Sequence, residues 1–415
     1  MVSVRSIIIF EDGRHDCFYP LSLTRPLWDL RCGMYTFAER AMKWVARTFS
    51  GEDHVFYFFT RDYLADATRD RFPGMRVNDW SFLDNSGEII ILNATVFPEN
   101  FLAGTLPDTV IVHDGIPMFG RMERSRITDG TKSVTAMIME ADVTFIEDDD
   151  LTCSEFIWDI VALNPSMLEK DITSCGLEPY VPGGVAVVGD RSMCFIEEGV
   201  RIDPYVVIDV TGGPVYISSG TVINPFSRIE GPTYIGRNCL VLGAKVREGC
   251  SIGDVCRIGG EVEEVIIQGY TNKYHDGFLG HSYAGEWVNM GAMTTCSDLK
   301  NNYANVHVNL PDGRVNTGMN KLGCFIGDCA RTSIGTLIGT GAVIGTGAML
   351  VHNGALTPPH IPPFAWYMDG KVSVREWVDD FMDTCRRAMS RRDVQFTDVM
   401  EKMYRNIYAE TRLPR

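Results

Sequence analysis

The sequence predicts an α/β domain followed by a parallel β-solenoid. Two patterns predict it. Apolar strand-like and helix-like segments alternate through the first 171 residues, and from Ile196 to Leu350 an interrupted beat of apolar residues returns every six positions. No helix has a period of six, and a simple strand alternates at two. A fixed short repeat rich in Gly marks a solenoid: each hexad makes a strand and a turn, and three hexads make one coil of a triangular prism. Alternating β and α segments with short connections predict a largely parallel sheet.

Taken in order, Ser6–Phe10 reads as a buried strand; its apolar run, Ile7 to Phe10, is too short for a signal peptide or membrane span. Met34–Phe49 has helical apolar spacing, His54–Phe59 is a strand, Tyr63–Arg71 a helix, and Glu88–Leu92 and Thr109–His113 are strands. Residues 172–195 are richer in Gly and Pro and read as a connector. Ile217, Ile223, Ile229, Ile235 and Val241 then lie six apart. The beat slips by one to Val246, Ile252 and Ile258, and returns at Phe278, Ala284 and Met290 and at Ile338, Ile344 and Leu350. These side chains are expected to fill the prism, with Gly at corners where φ is positive or where backbones crowd. Residues 301–322 interrupt the repeat, and His307–Leu310, Pro311-Asp312-Gly313-Arg314 and Val315 read as a hairpin. Prolines at 358, 359, 362 and 363 end the coils. The amphipathic stretch Val374–Tyr408 is expected to form one or two helices capping the open end. The expected domains are 1–171, a connector 172–195, a solenoid 196–363 and a helical segment 364–415.

The formal charge of −16 argues against broad binding to nucleic acid or acidic membrane, which needs a cationic surface. A local phosphate pocket stays compatible with it. The twelve Cys form no Cys-x-x-Cys pair and show no zinc-like spacing with His. Cys239, Cys250 and Cys256 sit at repeat positions, where a small apolar side chain fits. Free thiols and a cytoplasmic location are expected.

The repeat resembles that of the hexapeptide-repeat acyltransferases, which implies a left-handed parallel β-helix, a trimer, and sites between neighbouring prisms. Further resemblances lie in Phe10-Glu11-Asp12, Leu23-Thr24-Arg25-Pro26-Leu27, Leu30-Arg31-Cys32-Gly33, Trp158-Asp159-Ile160 with Asn164, and the run from Ile258 to Tyr303. Together they resemble sugar-1-phosphate nucleotidyltransferases fused to such a solenoid. The type is the bifunctional N-acetylglucosamine-1-phosphate uridyltransferase / glucosamine-1-phosphate acetyltransferase family, in a shorter, divergent branch. The likeness is specific in the last run and weak in the N-terminal domain. It implies a nucleoside triphosphate, a sugar-1-phosphate and an acyl-CoA as partners, with Mg²⁺ and acetyl-CoA as cofactor and cosubstrate. The rivals are an acyltransferase with a degenerate nucleotide-binding domain, a nucleotidyltransferase with an assembly solenoid, and a non-catalytic scaffold.

For attack of a sugar phosphate on an α-phosphate, catalysis is positioning and charge neutralisation. The resemblance puts Gly13 and Arg14 in the phosphate loop, Arg25 where a phosphate-binding Lys stands, and Arg31 as a further cation. Glu11 and Asp12 replace small residues there and are candidates for Mg²⁺. Asn93 stands where the family carries a metal Asp and is a candidate for a sugar or ribose. The alternative is that Arg25 and Arg31 pair with Glu11, Asp12 or Asp29.

For acyl transfer a base must take the nucleophile's proton. His275 precedes Phe278-Leu279-Gly280 by the spacing of the family's catalytic His, with Asp276 to orient it, and His281 is the second candidate. Asn289 and Ala292 match substrate and coenzyme positions, and Lys300 and Lys321 are candidate phosphate contacts. Glu261, Glu263 and Glu264 make the adjoining wall acidic.

Overall fold

The computed structural model describes residues 5–84, 87–100, 106–127, 133–351, 353–374 and 378–411. Contacts divide it into two units. The first is Met1–Phe18, Arg25–Leu30 and Tyr35–Glu155; the second is Tyr19–Thr24, Arg31–Met34 and Phe156–Arg415.

The first unit is built on a sheet with strands β1 (Arg5–Phe10), β2 (His54–Phe59), β3 (Arg76–Val77), β4 (Glu88–Asn93), β5 (Thr109–His113), β6 (Ile116–Glu123) and β7 (Thr144–Glu147), in the order β3-β2-β1-β4-β6-β5-β7. β1 runs parallel to β2 and β4, and only β6 is antiparallel to its neighbours. Ile7 to Phe10 are buried without alternation, as a central strand covered on both faces requires. Helix α1 (Phe37–Thr48) begins at a capping box: Thr36 Oγ1 accepts from Glu39 N–H at 3.2 Å, and Glu39 Oε2 accepts from Thr36 N–H at 2.8 Å. Helix α2 (Asp62–Arg71) follows β2, and α3 (Val134–Met139) precedes β7. The chain leaves β1 for β2 and β3 on one side and returns to β4 on the other. Strand order therefore reverses between β1 and β4, where open α/β sheets hold ligands.

The second unit is a parallel β-helix. One ladder runs Cys194–Ile196, Val215–Ile217, Thr233–Ile235, Cys250–Ile252, Ile266–Gly269, Tyr283–Glu286, Phe325–Ile326, Val343–Ile344 and His360–Ile361. Each step is parallel, and Ile196, Ile217, Ile235, Ile252, Ile267, Ala284, Ile326, Ile344 and Ile361 stack inward. A second face stacks Ile208, Ile229, Val246, Val262 and Leu279. Leu279, not Phe278, is the buried residue of its strand: tighter corners at 258–262 and 262–267 shift the beat. The third face stacks Ile202, Ile223, Val241, Ile258 and then Lys273, which is 1 % exposed. Its ammonium donates to the carbonyls of Gly259 at 3.0 Å and His275 at 2.7 Å.

Of the two expected reasons for the glycines that follow inward residues, crowding is the one that applies, and positive φ is not. Gly236, Gly253, Gly327 and Gly345 are small because a Cβ there would strike the next coil; at Gly253 it would meet the Gln268 carbonyl. One corner instead carries Asn238, Val255, Tyr270, Trp287, Cys329 and Phe364 at positive φ, and the N–H groups of Asn238, Val255, Tyr270, Cys329 and Phe364 donate to the preceding coil. Coil-to-coil bonding outweighs the ordinary left-handed penalty.

The expected hairpin is present, His307–Leu310 pairing antiparallel with Gly313–Asn316. Helix α4 (Ile157–Thr173), expected in the first domain, belongs to the second unit. Its Asn164 accepts from Gly33 N–H and donates to Gly249 carbonyl, both at 2.8 Å. Helices α5 (Asp379–Ser390) and α6 (Asp398–Thr411) do not lid the open end. They pack on the positive-φ corner, Phe381 against Phe364 and Gly347, and Tyr404 on Cys329. The last coil is closed by Lys371–Val374 folding antiparallel onto Ala365–Met368. Residues 375–377 and 412–415 of the expected helical segment lie outside the described residues. Among the described residues no helix is long and apolar enough to cross a membrane.

Candidate functional site

In the first unit a cleft of roughly 510 Å³ opens at the carboxyl ends of β1 and β2, lined by Glu11, Asp12, Arg61, Asp62, Asp66 and Arg69, among others. Its charges are committed to one another. The Glu11 carboxylate accepts from Thr60 Oγ1 at 2.6 Å, from Arg61 N–H, Nε and Nη2 at 2.7, 2.9 and 3.2 Å, and from Leu27 N–H at 3.0 Å. Asp12 is gripped by the Arg14 guanidinium at 2.8 Å and by Asn93 Nδ2 at 2.7 Å. Burial would push its carboxyl up, but Arg14 and Asn93 hold it below the usual range. Both carboxylates have donors where a cation would need lone pairs. The Mg²⁺ set Glu11 and Asp12 therefore does not fit the ion.

Other expectations are corrected with it. Arg14 and Asn93 are bound to Asp12, and the Asn93 oxygen accepts from Thr95 N–H at 3.1 Å, so neither is offered to a substrate. Arg25 is 1 % exposed and ion-paired with Asp29 at 3.2 Å, away from the cleft lining. Arg31 belongs to the second unit. Its N–H donates to Tyr283 Oη at 2.7 Å and its guanidinium to the Met34 carbonyl. Gly13 has open space around its Cα and constrains nothing.

In the second unit the two histidines differ. His281 is buried, with Nδ1 2.8 Å from Asp298 Oδ2 and Nε2 3.4 Å from Glu264 Oε2. Burial opposes its charge, but the two carboxylates raise its pKa to about 9. An imidazolium locked this way cannot act as a base at neutral pH, which corrects that expectation. Lys321 joins the same network through Glu263 at 3.0 Å, and Arg247 meets Glu263 at 2.7 Å. The acidic wall is thus neutralised, and Lys321 is paired rather than presented to phosphate. His275 and Asp276 are exposed; the His275 ring touches Tyr274 at 5.4 Å, and Asp276 makes no hydrogen bond to it. Lys300 donates to the Asn305 carbonyl at 2.6 Å and borders a groove of roughly 530 Å³. Ala292 accepts from Gly335 N–H at 2.7 Å.

Asn289 lines a pocket of roughly 310 Å³ with Asn272, Arg331, Arg387, Arg391 and Arg392, and its wall carries the Tyr270–Trp287 pair, stacked at 4.4 Å and 16°. Among the described residues no carboxylate lines it. Arg392 Nη2 donates to Asn272 Oδ1 at 2.8 Å, and Asn272 Nδ2 donates to Asn289 Oδ1 at 3.1 Å. Burial, then Arg257 and Arg391, push the Arg392 pKa below its usual value: the pocket repels its own cations. Such a cluster suits a phosphate, which guanidinium forks bind bidentately. The residue-level reading passed over these arginines. The doublets Arg386-Arg387 and Arg391-Arg392 in an acidic chain were the available signal.

Comparison with known proteins finds sugar nucleotidyl transferases and acetyltransferases. Residues 7–177 match the family model of sugar nucleotidyl transferases. The chain is 31% identical over 150 residues to the uncharacterized acetyltransferase YaiX of Escherichia coli, 35% of this chain and 65% of that one. It is 32% identical over 160 residues to a bifunctional sugar-1-phosphate nucleotidylyltransferase/acetyltransferase of Sulfurisphaera tokodaii, covering 37% of each. It is 30% identical over 138 residues to the bifunctional protein GlmU of Nitrosospira multiformis, 32% of this chain and 28% of that one. The matches therefore span less than two thirds of each relative's length.

Proposed function

We propose that the chain is a transferase of nucleotide-sugar biosynthesis: a sugar-1-phosphate nucleotidyltransferase, an acyl-CoA-dependent sugar acyltransferase, or both. Acyl transfer in the second unit is the activity the geometry favours. The observation that carries it is the arginine pocket beside Asn289, whose described lining holds no carboxylate in a chain of charge −16. It would take the phosphates of a coenzyme A or of a sugar nucleotide. His275, which makes no side-chain hydrogen bond among the described residues, would accept the proton of the attacking amine or hydroxyl. The first unit's cleft would hold the nucleotide sugar. The saturation of Glu11 and Asp12 favours a degenerate nucleotidyl-transfer site over an active one.

The reading includes a left-handed coil, a cytoplasmic location and a homotrimer. Supporting the trimer, Tyr205 and Phe226 stack at 5.6 Å on the outside of successive coils, 76% and 77% exposed. Burying such a pair against a neighbour would stabilise assembly. Light scattering at micromolar concentration should return three chains. The test of activity has two arms. Acetyl-CoA with amino-sugar phosphates should release free thiol, and Arg391→Ala with Arg392→Ala should raise the KM for the phosphorylated ligand at least tenfold. His275→Ala should lower kcat by roughly 10²–10⁴ without dissolving the trimer. Pyrophosphate release from nucleoside triphosphates plus sugar-1-phosphates, with no thiol release, would reverse the assignment.

A further inference from the structure

The first unit carries a second cluster that the proposed reactions do not use. His113 ends β5, on the same edge of the sheet as Asn93 at the end of β4. Cys153 is held by an antiparallel bridge to Val96. Cys153 and Glu155 are two apart in this extended segment, so their side chains share a face. That face meets His113: the ring nitrogen, the Cys153 sulfur and a Glu155 oxygen all lie within 4.8 Å of one another. Nε2 of His113 is 3.2 Å from Glu155 Oε1. Its Nδ1 is 2.9 Å from the Asp148 carbonyl. A carbonyl and a carboxylate only accept, so without a metal both ring nitrogens carry protons; a metal ion would take the place of the Nε2 proton, and the Nδ1–H bond to the Asp148 carbonyl would stay. This is the outer-shell bond that orients metal-bound histidines.

We propose that His113, Cys153 and Glu155 bind a zinc ion. One nitrogen, one thiolate and one carboxylate form a borderline-soft set, which zinc accepts and which Mg²⁺ and Ca²⁺, wanting only oxygen, do not. Tetrahedral zinc holds its ligand atoms roughly 3.3–3.8 Å apart. His113 Nε2 and Glu155 Oε1 stand at 3.2 Å, and the Cys153 sulfur lies within 4.8 Å of both, so approach of the sulfur would close the site. Binding releases two protons to solvent, one from the Cys153 thiol and one from His113 Nε2, while the Glu155 carboxylate enters unchanged. Three protein ligands leave the fourth position to water. Spacing rules miss this centre because His113 and Cys153 are forty residues apart and are joined only by the pairing of β5 and by the Val96 bridge. The centre pins the segment from Asp148 to Glu155 onto the sheet beside Arg14, whose guanidinium feels the charges of both Cys153 and Glu155. It is independent of either transferase reading.

The experiment uses the full chain stripped with chelator and titrated with Zn²⁺, and separately with Co²⁺ as an optical probe. One equivalent of zinc per chain and a thiolate-to-cobalt charge-transfer band are expected. Cys153→Ser should abolish the band, and His113→Ala and Glu155→Gln should each weaken zinc binding at least tenfold. Zinc should raise the melting temperature of the wild type and not of Cys153→Ser. The stripped Cys153→Ser protein should melt with the stripped wild type, which shows that the variant folds. A cobalt spectrum without a thiolate band, or unchanged zinc binding in Cys153→Ser, overturns the proposal. So does a loss of binding in Glu147→Gln that Glu155→Gln does not show, because His113 also neighbours Glu147 and Asp149.

Discussion

Raising the pH should remove the charge that His281 holds between Asp298 and Glu264. Its pKa in the folded protein is about 9, against about 6.5 for an unperturbed imidazole. A raised pKa means that the stabilisation is fully present below pH 6.5 and is lost as the pH climbs through 9. Some 2.5 pH units at about 1.4 kcal/mol each give about 3.5 kcal/mol. That is an upper value, because the Glu264 side chain is 29% exposed and water screens it. For a unit of this size the loss corresponds to a melting shift of roughly 5 °C. Lys273 titrates in the opposite sense. Burial lowers its pKa to about 8, and Asp276 only partly restores it. Its cost is therefore present below pH 8 and relieved between about 8 and 10.5. A single melting curve would mix the two. The difference between wild type and His281→Gln isolates the imidazolium, since both proteins keep Lys273. The wild type should melt well above the variant at pH 6 and close to it at pH 10. A gap that stays constant across that range would refute the locked imidazolium.

Arg25→Ala removes the 3.2 Å partner of a carboxylate that is 4% exposed and leaves Arg71 at 3.7 Å. It should cost about 3–5 kcal/mol, read by thermal unfolding, and an unchanged melting temperature would return Arg25 to the ligand-binding candidates. Gly253→Ala should destabilise the β-helix severely or prevent its folding, because the new methyl meets the Gln268 carbonyl, whereas Gly13→Ala should be nearly silent; circular dichroism melts compare them. Cys250, buried and with its thiol pushed up to about 12, should resist alkylation at pH 8 in the native protein and react once it unfolds.

The parts of this molecule written in sequence were those that repeat. Strand His54–Phe59 and the hairpin about Asp312 have the expected positions, because a short aromatic run and turn residues are local signals. The solenoid was legible because the same contact recurs coil after coil. What the sequence concealed was pairing. Glu11 and Asp12 look like metal ligands until Arg61 and Arg14 arrive from folding, and Arg25 looks like a phosphate ligand until Asp29 does. His281 looks like a base until Asp298 and Glu264 close on it. The arginine pocket was hidden for the opposite reason. Its cations come from Arg331 and from the α5 region, more than fifty residues apart, and only packing brings them together.

A stack of near-identical coils has an alignment problem, since Ile over Ile in one coil pairs as well with the coil above. Lys273 breaks that degeneracy. Between Ile258 below and Met290 above, its ammonium is satisfied only where the Gly259 and His275 carbonyls converge. A chain that slipped by one coil while folding would carry this charge to an aliphatic layer with no such carbonyls, at a cost of several kcal/mol. One polar residue in the prism thus acts as an index mark. It gives the unfolded chain one way to count its own turns.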